Sequence, residues 1–195
     1  MKPTKTENFT RFLFFLLQKR LFLNKNAKFA PYMERANRPP LLPVIIGTGF
    51  GSGFWPWGPG TAGAVLATLI WLGLSCCLGW QQLTALTLVL IVAFTALGTW
   101  ATARLQPFWG DDPRRVVVDE MVGVWIPLLA CASPSSKWWM ALVALVLFRF
   151  FDIVKPLGIR ALDRRKGAIW VMLDDVLAGI YSLIVIWAIT LISHG

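Results

Sequence analysis

The sequence predicts an all-α fold, a polytopic bundle of about four to five membrane-spanning helices, and three observations predict it. First, 56% of the 195 residues are hydrophobic and only 15% are charged, and the apolar excess lies in long runs. Second, the net charge of +9 is carried by Lys and Arg clustered beside those runs, as in segments that face an anionic leaflet. Third, glycine and proline punctuate the chain between the runs.

The N-terminal part, residues 1–39, reads as a basic extension. It carries Lys2, Lys5, Arg11, Lys19, Arg20, Lys25, Lys28, Arg35 and Arg38. Its apolar run from Phe12 to Leu17 is too short to cross a bilayer, and Gln18–Lys19–Arg20 interrupts it. An interfacial basic helix or a disordered tail is expected there. Residues 40–195 form the membrane-embedded domain. The basic charge has no accompanying nucleic-acid reading motif, so no nucleic-acid partner is expected. Cys76, Cys77 and Cys131 lie inside apolar runs and read as packing residues.

Seven glycines fall between Gly47 and Gly63, with Pro56 and Pro59 among them. Such a run cannot hold a stable helix, and its backbone N–H groups need protein, water or a ligand as partners. Thr61 is positioned to cap the apolar helix that follows, aiming loose N–H groups and a positive dipole end at an anion; a tight-packing loop without a ligand is the alternative.

Five apolar stretches follow, at about 62–80, 83–103, 118–133, 138–154 and 174–192. Each is near spanning length, although the third and fourth are short enough to require tilt or partial re-entry. Cations gather in the N-terminal tail, in 104–115 and in 155–166, whereas 79–82 has none and 133–137 has only Lys137. The positive-inside rule therefore puts those cationic segments in the cytoplasm. This topology carries a consequence for function: Thr61, Asp119–Glu120, Arg149, Asp152, Lys155 and Asp174–Asp175 all fall at one depth.

Arg149, Asp152 and Lys155 recur at three-residue spacing at the polar end of the run from Trp138, and Pro156 disfavours helix at Lys155. Charges so close to a bilayer are costly unless paired or functional. Several carboxylates without His or Cys partners favour a hard cation held by oxygen, Mg²⁺ before Zn²⁺. The lone His194 lies next to the C-terminus on the opposite side. An internal Arg149–Asp152 salt bridge is the simpler alternative, but it leaves Asp174–Asp175 unexplained.

At these residues the chain resembles the phosphatidylglycerophosphatase A family. The resemblance rests on Gly49–Phe50–Gly51–Ser52–Gly53, Pro59–Gly60–Thr61, Asp119–Glu120–Met121–Val122–Gly123, the stretch from Phe148 to Pro156, and Met172–Leu173–Asp174–Asp175–Val176–Leu177–Ala178–Gly179. It implies a Mg²⁺-dependent phosphatase of the bacterial inner membrane that converts phosphatidylglycerophosphate to phosphatidylglycerol, with its site on the cytoplasmic side. On that reading Asp119, Glu120, Asp152, Asp174 and Asp175 are catalytic, and Asp119, Glu120, Asp152 and Asp175 hold metal. Thr61, Gly60, Arg149 and Lys155 then bind the substrate phosphate. The competing class is a small divalent-cation or proton-coupled transporter, because buried acids also build ion pathways.

Overall fold

A computed structural model describes residues 38–132, 138–156 and 158–194, with side chains as far as Leu191. The expected basic extension and the 133–137 connection lie outside the described residues, as does the side chain of His194. Seven α-helices make up the described chain: α1 (Leu41–Gly47), α2 (Pro59–Cys77), α3 (Trp80–Trp109), α4 (Val118–Leu128), α5 (Trp139–Val154), α6 (Ile159–Asp163) and α7 (Ala168–His194). Short 3₁₀ turns occupy Ser52–Phe54 and Leu129–Cys131. The all-helical expectation holds.

Three helices, α2, α3 and α7, are long and apolar enough to cross a membrane. The expected stretches at 118–133 and 138–154 form shorter helices, α4 with 11 residues and α5 with 16. At 1.5 Å per residue these reach about 17 and 24 Å, short of a hydrocarbon core about 30 Å thick. Among the described residues, the count of four to five spans is therefore not reached by length and composition. Pro127 and the following 3₁₀ turn curtail α4, where apolar composition alone suggested a full crossing.

The centre of the bundle is α4. Ten of its residues, from Val118 to Leu128 with the exception of Glu120, are buried. A helix apolar on all sides must be enclosed on all sides, and α2, α3, α5 and α7 enclose this one. Its most extensive contact is with α7. There Gly123 and Gly179 remove the side chains that would hold the backbones apart: a Cβ on Gly179 would strike the Gly123 carbonyl oxygen, and one on Gly123 would lie 2.9 Å from the Asp175 carbonyl. Small residues serve this purpose where lipid supplies no hydrophobic drive between helices.

Indole hydrogen bonds tie neighbouring helices to this centre. Trp125 Nε1 donates to the Ala67 carbonyl at 3.1 Å, joining α4 to α2, and Trp71 Nε1 donates to Thr87 Oγ1 at 3.1 Å, joining α2 to α3. Large apolar side chains on the outer faces, among them Val92, Val146, Trp187 and Leu191, are exposed, as expected where lipid is the solvent.

The glycine-rich segment divides into two parts. Gly49, Phe50 and Gly51 all have left-handed backbone, φ +52°, +57° and +97°, and turn the chain back on itself. A Cβ on Gly53 would collide with the Arg115 carbonyl, and the Val117 N–H donates to the Gly47 carbonyl at 2.8 Å. The 47–53 part is thus a packing loop that fixes the approach to α4. The 58–60 part belongs to the site.

Candidate active site

The first turn of α4, the first half of α7, the end of α5 and the start of α2 converge at one end of the bundle. They line a cavity of about 480 Å³ whose walls include Gly60, Asp119, Glu120, Asp152, Asp174 and Asp175. The sequence put these acids at one depth of a bilayer; the fold brings them to one cavity, without Thr61.

Three carboxylates meet there. One oxygen from each of Asp119, Glu120 and Asp175 lies within 4.8 Å of the other two. Asp119 and Glu120 are adjacent in the first turn of α4, one helical turn before Gly123; Asp175 is one turn before Gly179 on α7. The glycine contact that draws the two helices together therefore also draws the acids together. The Glu120 N–H donates to Asp119 Oδ1 at 3.0 Å, which fixes that carboxylate against its own backbone.

The other expected residues take separate posts. Arg149 Nη1 donates to Asp152 Oδ2 at 2.5 Å, so the simple ion pair foreseen between them forms inside the cavity wall. Lys155 does not join that pair. Right-handed helix stops at Val154, Lys155 turns left-handed at φ +48°, and its ammonium reaches Asp163 and, at 2.8 Å, Asp174 Oδ2. An L-residue in that conformation costs about 1–2 kcal/mol, and the turn brings the ammonium to both acids. Burial alone would lower the Lys155 pKa; the hydrogen bonds its ammonium donates to Asp163 and Asp174 outweigh that and hold it above its ordinary value. Asp163 was not among the expected residues. It lies at the end of the short α6 with no motif around it, and only the fold shows it.

Gly60 and Thr61 part company. A Cβ on Gly60 would collide with Glu120 Oε1 and lie 3.3 Å from Arg149 Nη1, so the missing side chain makes room for the carboxylate and the guanidinium. Thr61 is not the helix cap. The helix begins at Pro59 with Gly58 as its N-cap, which puts Thr61 two residues inside, exposed and facing away from the acids. Proline at the first helical position is pre-set for helix and displaced the cap to the preceding glycine.

The donor set has a definite chemistry. Asp119, Asp174 and Asp175 are only 7%, 6% and 4% exposed, and burial of unneutralised carboxylates costs several kcal/mol each. Arg149 and Lys155 are committed to Asp152 and to Asp163 with Asp174. Glu120 Oε2, Asp174 Oδ1 and Arg149 Nε are buried and have no hydrogen-bond partner. Three close carboxylates, with Glu120 Oε2 unpartnered among them and no nitrogen or sulfur donor in the group, fit a hard divalent cation, and Arg149 Nε fits an anion beside it.

The family model for phosphatidylglycerophosphatase A matches residues 45–190. The chain belongs to the phosphatidylglycerophosphatase A family. The phosphatidylglycerophosphatase A proteins of Haemophilus influenzae and Escherichia coli are 39% and 34% identical over 151 and 140 residues, covering 74% and 71% of this chain and 86% and 77% of theirs. A Bacteroides thetaiotaomicron protein named as a putative phosphatidylinositol-3-phosphatase is 57% identical over 149 residues, covering 76% of this chain and 94% of that one. No solved structure matches. The matched region contains every residue of the cavity described above.

Proposed function

We propose that this protein is a Mg²⁺-dependent lipid phosphatase that removes the terminal phosphate of phosphatidylglycerophosphate at the cytoplasmic face of a bacterial inner membrane. The observation that carries the proposal is the meeting of Asp119, Glu120 and Asp175 at one end of an apolar bundle, in a chain of this family. A lipid phosphate lies at the depth of such a cluster while its acyl chains stay in the bilayer, so entry between helices needs no soluble cleft.

Asp119, Glu120 and Asp175 would hold the metal, and Asp152, facing Glu120 and Asp175, completes the acidic wall. When bound, Mg²⁺ supplies Lewis-acid polarisation of the phosphoryl group and neutralises charge on its oxygens. The chain's own residues do the rest. Arg149 presents Nε and a guanidinium held in place by Asp152, a planar donor suited to phosphate. The first turn of α2, where Gly60 lies against Glu120 with no Cβ between them, offers backbone N–H groups that no helical carbonyl satisfies. Asp174, with Oδ2 fixed by Lys155 and Oδ1 unpartnered, would take the proton of an attacking water. A bond from water oxygen to phosphorus forms, the bond from phosphorus to the glycerol oxygen breaks, and the proton taken by Asp174 passes to that leaving oxygen.

The Bacteroides relative favours a second reading, in which the phosphomonoester sits on inositol. The two readings share the reaction and differ in the head group. Phosphate release from phosphatidylglycerophosphate and from phosphatidylinositol 3-phosphate, measured side by side with detergent-solubilised protein, separates them. The proposal expects higher kcat/KM on the former, loss of turnover on chelation and recovery with Mg²⁺. No release from either lipid, with Mg²⁺ flux into proteoliposomes instead, would establish the transporter.

A further inference from the structure

A second cavity, of about 440 Å³, adjoins the acidic one and is lined mainly by apolar side chains: Trp55, Trp57, Ala62, Val65, Leu66 and Leu69. Gly58 lines both cavities. The residues after it divide between them, because Gly60 faces Glu120 and Arg149 whereas Thr61 and Ala62 face the apolar side. Val65, Leu66 and Leu69 then continue the apolar lining along α2, away from its first turn and from the acids.

From this continuity we infer that the groove along α2 holds the glycerol end of one acyl chain of the same lipid whose terminal phosphate is in the acidic cavity. The inference rests on the phosphatase reading. Its substance is a path: phosphate against Gly60, head group across the Gly58–Thr61 turn, chain along Val65 and Leu69. The volume is in the range of small-molecule sites, about 300–1,000 Å³. Trp57 is 88% exposed and Trp55 is 56% exposed, and they stack edge-to-face with centroids 6.0 Å apart at the mouth of the groove. Tryptophans so placed favour the head-group level of a membrane, where the ester linkage of a phospholipid lies. Bulk lipid would cover an outer helix face equally well, but it gives no reason for the groove to share Gly58 with the acidic cavity. In a bilayer the chain gains little from burial itself, so the groove acts by orienting the head group.

Val65 and Leu69 are 37% and 60% exposed, so tryptophan at either position fills the groove without entering the core. Val65→Trp and Leu69→Trp are each expected to lower kcat/KM on long-chain phosphatidylglycerophosphate about tenfold or more, a modest share of what misplacement by an ångström can cost. Thermal unfolding should not change, and Val92→Trp, on the outer face of α3, should match the wild type. A substrate lipid with a photoactivatable diazirine near its ester should label the chain between Trp57 and Leu69. Labelling spread evenly over the outer faces of α3 and α7, or Val65→Trp behaving like Val92→Trp, overturns the groove while wild-type turnover leaves the phosphatase standing. If the wild type releases no phosphate from the lipid, the phosphatase reading fails and the groove assignment falls with it.

Discussion

Gly60 is a residue whose function is to be absent. Its missing side chain leaves the space that Glu120 Oε1 occupies. In Gly60→Ala the carboxylate can swing aside, because it is the far end of a flexible side chain, so the fold should survive while the acid loses its place. Turnover is expected to fall about 10–100-fold with little change in Tm, a combination checked by phosphate release and thermal unfolding on the same preparation. Lys155 sits at the other extreme, holding two acids at once. Lys155→Met leaves Asp174 buried without its cation and is expected to cost about 2 kcal/mol, less than the 3–5 typical of a fully buried pair because the lysine is partly exposed. The raised pKa also fixes a pH sign. The ion pairs contribute fully below the free lysine value of 10.5 and are lost only as pH rises through the higher folded value. No lysine limb should therefore appear in a pH–rate profile between pH 6 and 9, a range taken as roughly that of ordinary assays. The acids themselves were legible in the sequence, since eight of ten fall within residues 111–175. Asp163 was not, because an acid in a short polar connection looks like any solvated charge until a fold turns Lys155 towards it.

At the level of elements, the decisive contact is between α4 and α7. Gly123 and Gly179 let the backbones touch, and Asp119–Glu120 and Asp175 ride one turn away on each helix. Gly179→Leu forces a side chain against the Gly123 carbonyl and Ile126; overpacking of this kind costs about 1–3 kcal/mol and would part the acids as well. Stability and activity should fall together in that variant, in contrast to Gly60→Ala, where activity alone falls. Both glycines were visible as motif members, but their meaning was not, because a sequence does not say which small residues face each other. Helix ends were more legible. Pro156 stops α5 beside Lys155 as its backbone chemistry requires, while Pro59 shifts the start of α2 two residues ahead of Thr61. The competition between a hydroxyl cap and a pre-set proline went to the proline, and Thr61 lies on the apolar side and not with the acids.

For the whole molecule, hydropathy identified the helical class and charge placed the acids at one end, yet neither could count spans. Apolar composition marks both a lipid-facing helix and one enclosed by protein, and α4 is the second kind. The short buried helix brings the ends of α2, α5 and α7 around its first turn, where the acids are. That arrangement concentrates negative charge more densely than the cations on hand can offset, which is the physical reason to expect a hard ion there. Binding of Mn²⁺ as a spectroscopic substitute for Mg²⁺, followed by electron paramagnetic resonance in the wild type, in Asp175→Asn and in Asp119→Asn, tests this most directly. Saturable Mn²⁺ binding in the wild type, displaced by Mg²⁺ and weakened at least about tenfold in each variant together with a loss of turnover of about 10³-fold, is the expected result. Equal Mn²⁺ affinity in all three proteins, or turnover that persists in either variant, would contradict it.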